Sequence, residues 1–519
     1  MVPDFSVLMR YAMLGAFLAC LGPCLLHAQD TIAPVPLNRD ELDPAIEDII
    51  SNSEIDDQID YSYLTDYLQD LERRRLNLNT ATREQLQMLP GMDDLMINRL
   101  QEHIRRFGPL TSIYELQAIA GFSPALIYPI LPYVVVREIS GKDISPGTRH
   151  PAGPSLRELV EGMKGEFTQR VGFLLEQQRG YTPPDTSSSG ALSSRYAGSP
   201  YRSYTRFRAR YGQNFSFALT GEKDPGETWR WDPKNQFSGY DFLSGHLSIS
   251  NYGWLKHLVV GDYTLQLGQG LTLSRGLGFG KGSEVIRAVK MPAQGIRPFS
   301  SVNENQYLRG AAATVAAGDF YFTGFYSNAR FDATIQEVDT LTEEVARVST
   351  LQTSGLHRTP SELANRRSIR ERAYGARAEY RTPTLTLGTT HYIQQFGSSI
   401  DRAPNDYNQF DFRGDLNQLS SFDFDWVYRN FNFFGEVARS RSGGIGATAG
   451  LMASLSPIVD LALLARSFDR DFHTTKGYVF AERPVTVQNE RGLYVGLRIQ
   501  PHSLWTVSAY ADQFYFPWN

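Results

Sequence analysis

The glycine-rich run Gly268–Gly282 (GQGLTLSRGLGFGKG) is the first stretch whose residue types could do chemistry, because glycine-rich loops that end in lysine can cradle phosphate groups. Its spacing departs from that of a phosphate-binding loop. Gly282 follows Lys281 where serine or threonine is required, and Arg275 occupies the first glycine position. We therefore predict the end of a strand that runs into a flexible loop, folded into the interior of a surrounding β-structure.

Histidine and cysteine give no clear sign of catalysis or metal binding. The nine histidines show no metal-ligand spacing, so the sequence predicts neither a metal site nor a cofactor. His391, near strand carboxylates, is the single hint of a hydrolase of the kind that places histidine near a barrel rim, and we expect no enzyme. Both cysteines, Cys20 and Cys24, lie in an N-terminal apolar run. Cleavage after Ala28 would leave a mature chain with neither disulfides nor Cys-based zinc sites.

The stretch Leu76–Val136 contains two copies of a unit made of a short helix, a tight turn and a second helix. Thr82 and Gln85 form a capping-box pattern that predicts a helix start near Thr82. The sequence Leu89-Pro90-Gly91 ends that helix, since proline disfavours helix at the residue before it. A longer amphipathic helix should follow, ending at Gly108-Pro109.

The second copy repeats this arrangement. Ser112 with Glu115 forms another capping-box pattern, and Ile119-Ala120-Gly121-Phe122 predicts the tight turn. Ser123 should cap the last helix, with Pro124 in its first turn.

This stretch resembles the tandem helix-hairpin-helix domain of competence-type periplasmic DNA receptors. The resemblance rests on the motifs N-L-N-T-A-T, L-P-G-M, R-F-G-P-L, the Ser112–Leu116 helix start and I-A-G-F, and it covers about an eighth of the chain. It implies that the hairpins and the helix N-termini offer backbone N–H groups to DNA phosphates without reading base sequence. The DNA-contacting residues implied in this way are Gly91, Met92, Arg99, Arg105, Arg106, Gly121, Phe122 and Ser123.

The hairpins depart from the family pattern at their second glycine, which is replaced by Asp93 in one copy and Ser123 in the other. Asp93 and Asp94 place negative charge where a phosphate would sit, and nearby acidic residues offset the arginines. Two interpretations therefore stay open. The segment contacts double-stranded DNA, or it docks a periplasmic or envelope protein and acts as a structural module.

The flanking segments have distinct compositions. Residues 1–28 have the charge and apolar run of a signal peptide, and 29–75 form an acidic spacer that is partly helical, with helical periodicity over Ala45–Leu71. The domain 76–137 is followed by a proline- and glycine-containing linker at 138–165. Mean hydropathy of -0.33 excludes a helical membrane protein but not a transmembrane barrel, whose interior is polar.

From Glu166 onward the periodicity changes to two, which predicts strands. In Phe422–Tyr428, for example, four aromatic residues alternate with Asp423 and Asp425. Short turns, such as Ala317–Asp319 and Arg429–Asn430, alternate with long polar segments near 178–202, 223–238, 269–305, 329–368, 396–419 and 469–488. This alternation is typical of outer-membrane barrels.

The predicted fold is therefore multidomain: a small all-α tandem helix-hairpin-helix domain followed by an antiparallel transmembrane β-barrel over residues 166–519. Counting turns gives about 15–16 strands, beginning at Phe167, and we expect the barrel to be incomplete at the C-terminus. The layout resembles Bacteroidetes-type outer-membrane barrels that carry an N-terminal helix-hairpin-helix domain. The shared patterns are Gly261-Asp262-Tyr263, Gly268-Gln269-Gly270-Leu271 and Arg309-Gly310-Ala311-Ala312.

Charged residues on the inner face of the strands leave two interpretations. They line an anion path, or they pair with one another and fill the barrel, which we favour. The candidate lumen residues are Arg206, Arg208, Arg210, Arg377, Glu379, Asp423 and Asp425, with Glu222 as a further partner.

The sequence thus predicts a protein of the cell outer membrane, in contact with its lipid, with the N-terminal domain in the periplasm. One hypothesis is a channel or uptake component whose helical domain receives DNA or a partner. The other is an envelope scaffold in which the barrel is an anchor. An open lumen would favour transport, and a lumen filled by the loop 269–305 would favour anchoring or gating. The net charge of -5 argues against a strong polyanion binder.

Overall fold

The computed structural model describes residues 68, 71–72, 75–137, 161–183, 194–211, 214–232, 237–274, 281–282, 284–305, 307–338, 345–502 and 505–518. The predicted signal peptide, most of the acidic spacer and most of the linker lie outside these residues.

The N-terminal helical segment, residues 75–137, contains three α-helices and two 3-10 helices, the second at Leu131–Tyr133, between two short strands that pair in parallel. Its helices begin close to the predicted caps. Thr82 forms the predicted capping box with Gln85, and Gly108 ends the second helix. The elements are β1 (Leu76–Asn77), α1 (Arg83–Gln87), α2 (Asp94–Phe107), the 3-10 helix Ile113–Ala118, α3 (Pro124–Ile130) and β2 (Val134–Val135).

One detail of the second copy differs from the prediction. The element after Ser112 is a 3-10 helix rather than an α-helix, and the Ser112 hydroxyl accepts from the Tyr114 N–H. The Glu115 carboxylate accepts the backbone N–H of Thr111, 3.0 Å away, which lies one residue before the expected cap. The local hydrogen bonds therefore favour a tight 3-10 turn.

A compact apolar core holds the helical segment together. Gly91 and Gly121 have φ values of +71° and +93°, which turn the chain so that apolar side chains of each unit meet. The most completely buried of these side chains are Leu86, Leu89, Ile97, Leu100, Leu116 and Ile130.

Fifteen long strands in the described part of the chain pair antiparallel, each with the next, in one sheet curved into a barrel. The first begins at Lys164, close to the predicted Phe167, and the count agrees with the predicted 15–16. They are β3 (Lys164–Phe173), β4 (Tyr201–Tyr211), β5 (Phe215–Lys223), β8 (Phe242–Tyr252), β9 (Leu255–Gln266), β11 (Leu308–Ala317), β12 (Phe320–Phe331), β15 (Ile369–Arg381), β16 (Leu385–Ile400), β17 (Gly414–Tyr428), β18 (Phe431–Ser440), β19 (Ile445–Ser456), β20 (Val459–Phe468), β21 (Glu490–His502) and β22 (Trp505–Tyr515).

The two faces of the barrel wall differ in chemistry, as the period of two predicts. On β17, Phe422 and Trp426 are 50% and 43% exposed on the outer face, whereas Asn417 and Asp423 are buried inside. Leu493 and Val495 on β21 likewise face outward beside the buried Tyr494. The wall therefore has an apolar outside and a polar or packed inside.

Short turns lie at one end of the barrel and longer connections at the other, except for the short link 441–444, which lies at the end of the longer connections. Among the described residues, three of the longer connections contain strands where loop was predicted. The connection 329–368 holds an antiparallel hairpin and a capped helix, 223–238 holds a small hairpin, and 269–305 holds a short strand that pairs with β9. These extra elements are β6 (Arg230–Asp232), β7 (Phe237–Gly239), β10 (Gly295–Pro298), β13 (Ala333–Val338), β14 (Val345–Leu351) and α4 (Pro360–Asn365).

Candidate functional site in the barrel lumen

The connection after β9 folds into the barrel instead of remaining outside it. We call residues 267–299 the inward segment. Its described apolar residues pack against inner-face residues of the wall in two buried clusters. The described part of this loop therefore packs against the inner face of the barrel. The inward-segment residues in these clusters are Leu267, Leu271, Leu273, Val285, Ile286, Ala288, Val289 and Ile296.

The glycine-rich start of the inward segment is fixed to the wall by Glu436 on β18. The carboxylate of Glu436 accepts the backbone N–H groups of Gln269 and Leu271 at 2.7 and 3.1 Å. Gly270 has φ of +91°, and a Cβ there would lie 2.1 Å from the carbonyl oxygen of Tyr478. Gly270 of the run that suggested a phosphate loop therefore serves close backbone packing inside the barrel.

The far end of the inward segment carries a buried lysine that joins three parts of the chain. The Nζ of Lys290 lies 2.6 Å from carboxylate oxygens of both Asp94, at the start of α2, and Asp425, on β17. It also donates to the Oδ1 of Asn432 on β18, 2.9 Å away. Arg83 completes the charge balance by binding Asp94 at 2.7 Å. We call these five residues the Lys290 cluster.

An apolar seal surrounds the Lys290 cluster. Leu95, the residue after Asp94, is 3% exposed and packs with Val289 of the inward segment and Phe434 of the wall. The hydroxyl of Tyr494 donates to the carbonyl oxygen of Val285 at 3.0 Å. The first turn of α2 therefore closes the end of the lumen at which the short turns lie.

The two aspartates that replaced the family pattern have opposite electrostatic environments. Burial disfavours ionisation of Asp94, but Lys290 and Arg83 outweigh it and hold its pKa below the usual range. Burial raises the pKa of Asp93, although Arg498 on β21 lies 3.7 Å away and opposes this effect. Asp93 also accepts the backbone N–H of Met96 and so caps α2. Both residues bind protein groups at the position where a phosphate was considered.

The residues that the resemblance implied for DNA contact are largely used within the protein. Met92 and Phe122 are 1% and 4% exposed, and the guanidinium of Arg99 donates to the carbonyl oxygen of Ala120. Arg105 and Arg106 are exposed and form ion pairs with Glu102. The remaining three of these residues are Gly91 and Gly121, which form the turns, and Ser123, whose Oγ lies 3.4 Å from the side-chain nitrogen of Gln500 on β21.

The charged residues of the lumen pair with one another where their contacts are described. Arg377 binds Glu379 at 3.0 Å and Asp423, and Arg208 binds Glu166 at 3.1 Å. The contacts of Arg377 are those of the interpretation in which inner-face charges pair with one another. Asp425 binds Lys290 of the inward segment, and Glu222 binds Arg202 of β4, two cations that the sequence interpretation had not included. Arg206 and Arg210 lie on the same strand as Arg208.

Sequence reasoning missed Lys290 and the histidine that matters most for metal chemistry. The mostly apolar run from Val285 to Met291, which contains Lys290, could have indicated a buried segment within a connection that was otherwise interpreted as polar. His391 lies exposed on the wall and contacts Ser420 and Gln418. The residues that could hold a metal ion converge instead on His357, from positions too far apart for a spacing motif.

No described helix is long and apolar enough to cross a membrane.

Comparison with known proteins gives distant likenesses. No family model matches the chain. A curated protein of Xenopus laevis, endonuclease/exonuclease/phosphatase family domain-containing protein 1, is 37% identical over 73 residues, which are 14% of this chain and 13% of that protein. The chain thus spans about an eighth of the length of this relative.

Among solved structures, this chain is similar to several bacterial barrels. The anion-selective porin from Comamonas acidovorans is 12% identical, with a TM-score of 0.28, over 68% of this chain and 88% of the porin. A mutant of the Rh. blastica porin is 11% identical, with a TM-score of 0.26, over 60% and 86%. The Escherichia coli outer-membrane protein Wzi, described as a carbohydrate-binding β-barrel involved in capsule assembly, is 14% identical, with a TM-score of 0.29, over 68% and 70%. The strand registers of this chain, rather than these distant likenesses, define its architecture.

Proposed function

We propose that this chain is an outer-membrane β-barrel of the channel or uptake class, whose lumen is closed by its own inward segment. The helical segment at the periplasmic mouth holds the inward segment in place. The observation that carries this proposal is the Lys290 cluster. In it, one buried lysine of the inward segment binds Asp94 of the helical segment and Asp425 and Asn432 of the wall.

The chemistry of the wall supports the membrane location. Aromatic and aliphatic side chains such as Phe322, Trp426 and Val437 are about half exposed on the outer face, whereas charged residues are buried inside. In a transmembrane barrel the outer face meets lipid and the inner face is polar. The helical segment lies at the end with the short turns, which is the periplasmic end in such barrels.

The number of strands implies a lumen that would be open to water if the inward segment did not fill it. Barrels of about 16 strands are wide enough to leave an aqueous channel unless something fills them. Here the inward segment occupies that interior, so its removal or displacement is the step that would open a path. The clusters formed by the inward segment and the wall are mostly apolar, which makes partial entry of water unfavourable.

The first test removes the inward segment. Gly295 pairs with Gln266, so residues 268–293 can be deleted and the ends joined by two glycines without stretching the wall. In planar lipid bilayers we expect the wild-type protein to conduct little and the deletion variant to conduct at least about tenfold more, as an aqueous barrel should.

The second test leaves the segment in place and weakens its attachment. Lys290→Met removes the cation that Asp94 and Asp425 share and leaves Arg83 as the cation bound to Asp94, so we expect frequent transient openings in the same bilayers. Lys256→Met is the matched control, because no hydrogen bond or ion pair of Lys256 is seen among the described residues. A folded deletion variant that conducts no better than the wild type, with unchanged Lys290→Met traces, would reject the channel.

An envelope scaffold is the second candidate function, and the exposed aromatic residues of the helical segment favour it. Phe107 and Tyr114 are 76% and 60% exposed on this segment. Exposed aromatic residues are enriched at protein-binding surfaces. Two results together would support this function over transport. The deletion variant would conduct no better than the wild type, and Phe107→Ser would abolish binding of an envelope protein. DNA contact finds less support, because the hairpins face the barrel.

A further inference from the structure

A second buried group of charged residues lies at the opposite end of the barrel, where the longer connections are. His357, in the connection between β14 and α4, is 1% exposed and lies between two carboxylates. Its Nδ1 is 2.5 Å from Asp241, just before β8, and its Nε2 is 2.7 Å from Asp332, just after β12. Glu227 and Glu304 complete what we call the His357 cluster.

The Nδ1 side of His357 is fully satisfied by protein groups. Asp241 accepts from the imidazole through one oxygen and from Arg366 through the other, at 3.1 Å. Glu227 accepts the backbone N–H groups of His357 and Asp224, at 3.0 and 2.7 Å. These contacts fix the orientation of the imidazole ring and leave little capacity for a further ligand on that side.

The Nε2 side has an unused carboxylate. Glu304 is partly exposed, and no hydrogen bond or ion pair to its carboxylate is seen among the described residues. One carboxylate oxygen of Glu304, one of Asp332 and a ring nitrogen of His357 lie within 4.8 Å of one another. Gly355 has φ of +62°, and a Cβ there would lie 3.2 Å from the Cγ of Glu304. The loop therefore uses glycine to bring His357 over this carboxylate.

The charge balance of the cluster leaves negative charge to be neutralised. Four carboxylates face His357, Arg366 and Arg367. The carboxylate of Glu304 has no cation of its own among the described residues, so a cation bound beside it and Asp332 would balance the charge.

We propose that the His357 cluster binds a divalent transition-metal ion through His357 Nε2, Asp332 and Glu304, while Asp241 orients the imidazole from Nδ1. A ligating histidine commonly donates its other N–H to a carboxylate in this way. One imidazole with two carboxylates suits zinc and its neighbours better than calcium or magnesium, which prefer oxygen ligands alone. The ion takes the place of the Nε2 proton, which is released to solvent, so affinity falls as pH falls.

Zinc binding by the purified full-length protein in detergent tests this site. Competition against a chromophoric chelator at pH 7.5 should show one Zn²⁺ per chain. Glu304→Gln should weaken binding at least about tenfold, as should loss of the orienting carboxylate in Asp241→Asn. Glu304→Gln removes no hydrogen bond of the described structure and so should fold normally. Glu337→Gln, on the exposed hairpin nearby, is the matched control and should bind as the wild type does.

Calorimetry in buffers of different ionisation enthalpy should detect release of about one proton per ion bound. The proposal is overturned if the wild type binds no stoichiometric zinc at pH 7.5 or 8.5. It is equally overturned if Glu304→Gln binds as tightly as the wild type, or if calcium binds at this site in preference to zinc.

Discussion

The two ends of the barrel each bury a group of charged residues, but the two groups are built differently. In the Lys290 cluster, two carboxylates face one lysine and one arginine, and every charge has an opposite partner. In the His357 cluster, four carboxylates meet and Glu304 has no partner of its own among the described residues.

This difference indicates different tasks. A matched buried cluster is costly to break on either side, so it holds together the elements that supply its members. The Lys290 cluster joins segments separated by about 200 residues of sequence, since Lys290 and Asp94 are 196 positions apart. An unmatched cluster leaves room for an added cation. The first arrangement therefore favours attachment, and the second favours binding.

The largest effect is expected from Asp94→Asn, which cuts the link between the helical segment and the inward segment. Removing one partner of a buried ion pair costs about 3–5 kcal/mol. Hydrogen exchange of α2 should accelerate accordingly. Glu102→Gln, on the exposed side of the same helix, breaks surface ion pairs and should cost less than about 1 kcal/mol. Equal effects of the two variants on hydrogen exchange would contradict the attachment of the helical segment to the inward segment through Asp94.

His357→Gln should destabilise the opposite end locally, by about 3 kcal/mol, because it removes the cation between two buried aspartates. Protection of residues 345–368 against hydrogen exchange should fall while that of α2 is unchanged. His473→Gln is the control, since the side chain of His473 makes one hydrogen bond among the described residues, with the carbonyl oxygen of Phe410, and the substitution should cost about 1 kcal/mol. Loss of protection at both ends would mean that the two clusters are coupled.

The two clusters should respond to pH in opposite directions. The pKa of His357 is raised from 6.5 to about 10 in the folded protein, so its stabilisation is complete below pH 6.5 and is lost as pH rises to about 10. The pKa of Asp94 is lowered from 3.8, so its stabilisation is present above pH 3.8 and is lost as pH falls towards the folded value. Protection factors at the two ends, corrected for intrinsic exchange, should therefore decline at opposite ends of the pH range.

The smallest effect is expected from the double variant Arg105→Gln and Arg106→Gln. Both side chains are at least half exposed, so the free energy of unfolding should change by less than about 1 kcal/mol. Retention of duplex DNA by the full chain at low salt should be no stronger for the wild type than for this variant. Stronger, salt-sensitive retention by the wild type would restore a DNA-contacting role for the helical segment.

Local patterns in the sequence were sufficient to predict the helices and strands. The capping box at Thr82, the glycine turn at Gly91 and the alternation over Phe422–Tyr428 depend on neighbours a few residues away, and the structure contains each of them. The strand count followed from the same information, because each turn separates two alternating runs. The hairpin β13–β14 was missed because a polar composition concealed its shorter alternation.

The sequence alone determined which residues are charged, which are apolar and where the chain turns. Only the tertiary structure decided what the charges bind. The sequence pattern placed Asp94 where a DNA phosphate would sit, whereas in the structure Asp94 binds Lys290. His357 lies close to carboxylates from sequence positions between 227 and 332. The physical reason is that a barrel brings together the ends of strands far apart in the chain. The electrostatic energy of a buried charge depends mainly on the nearest charge in space, and the spacing of residues along the sequence does not reveal that neighbour.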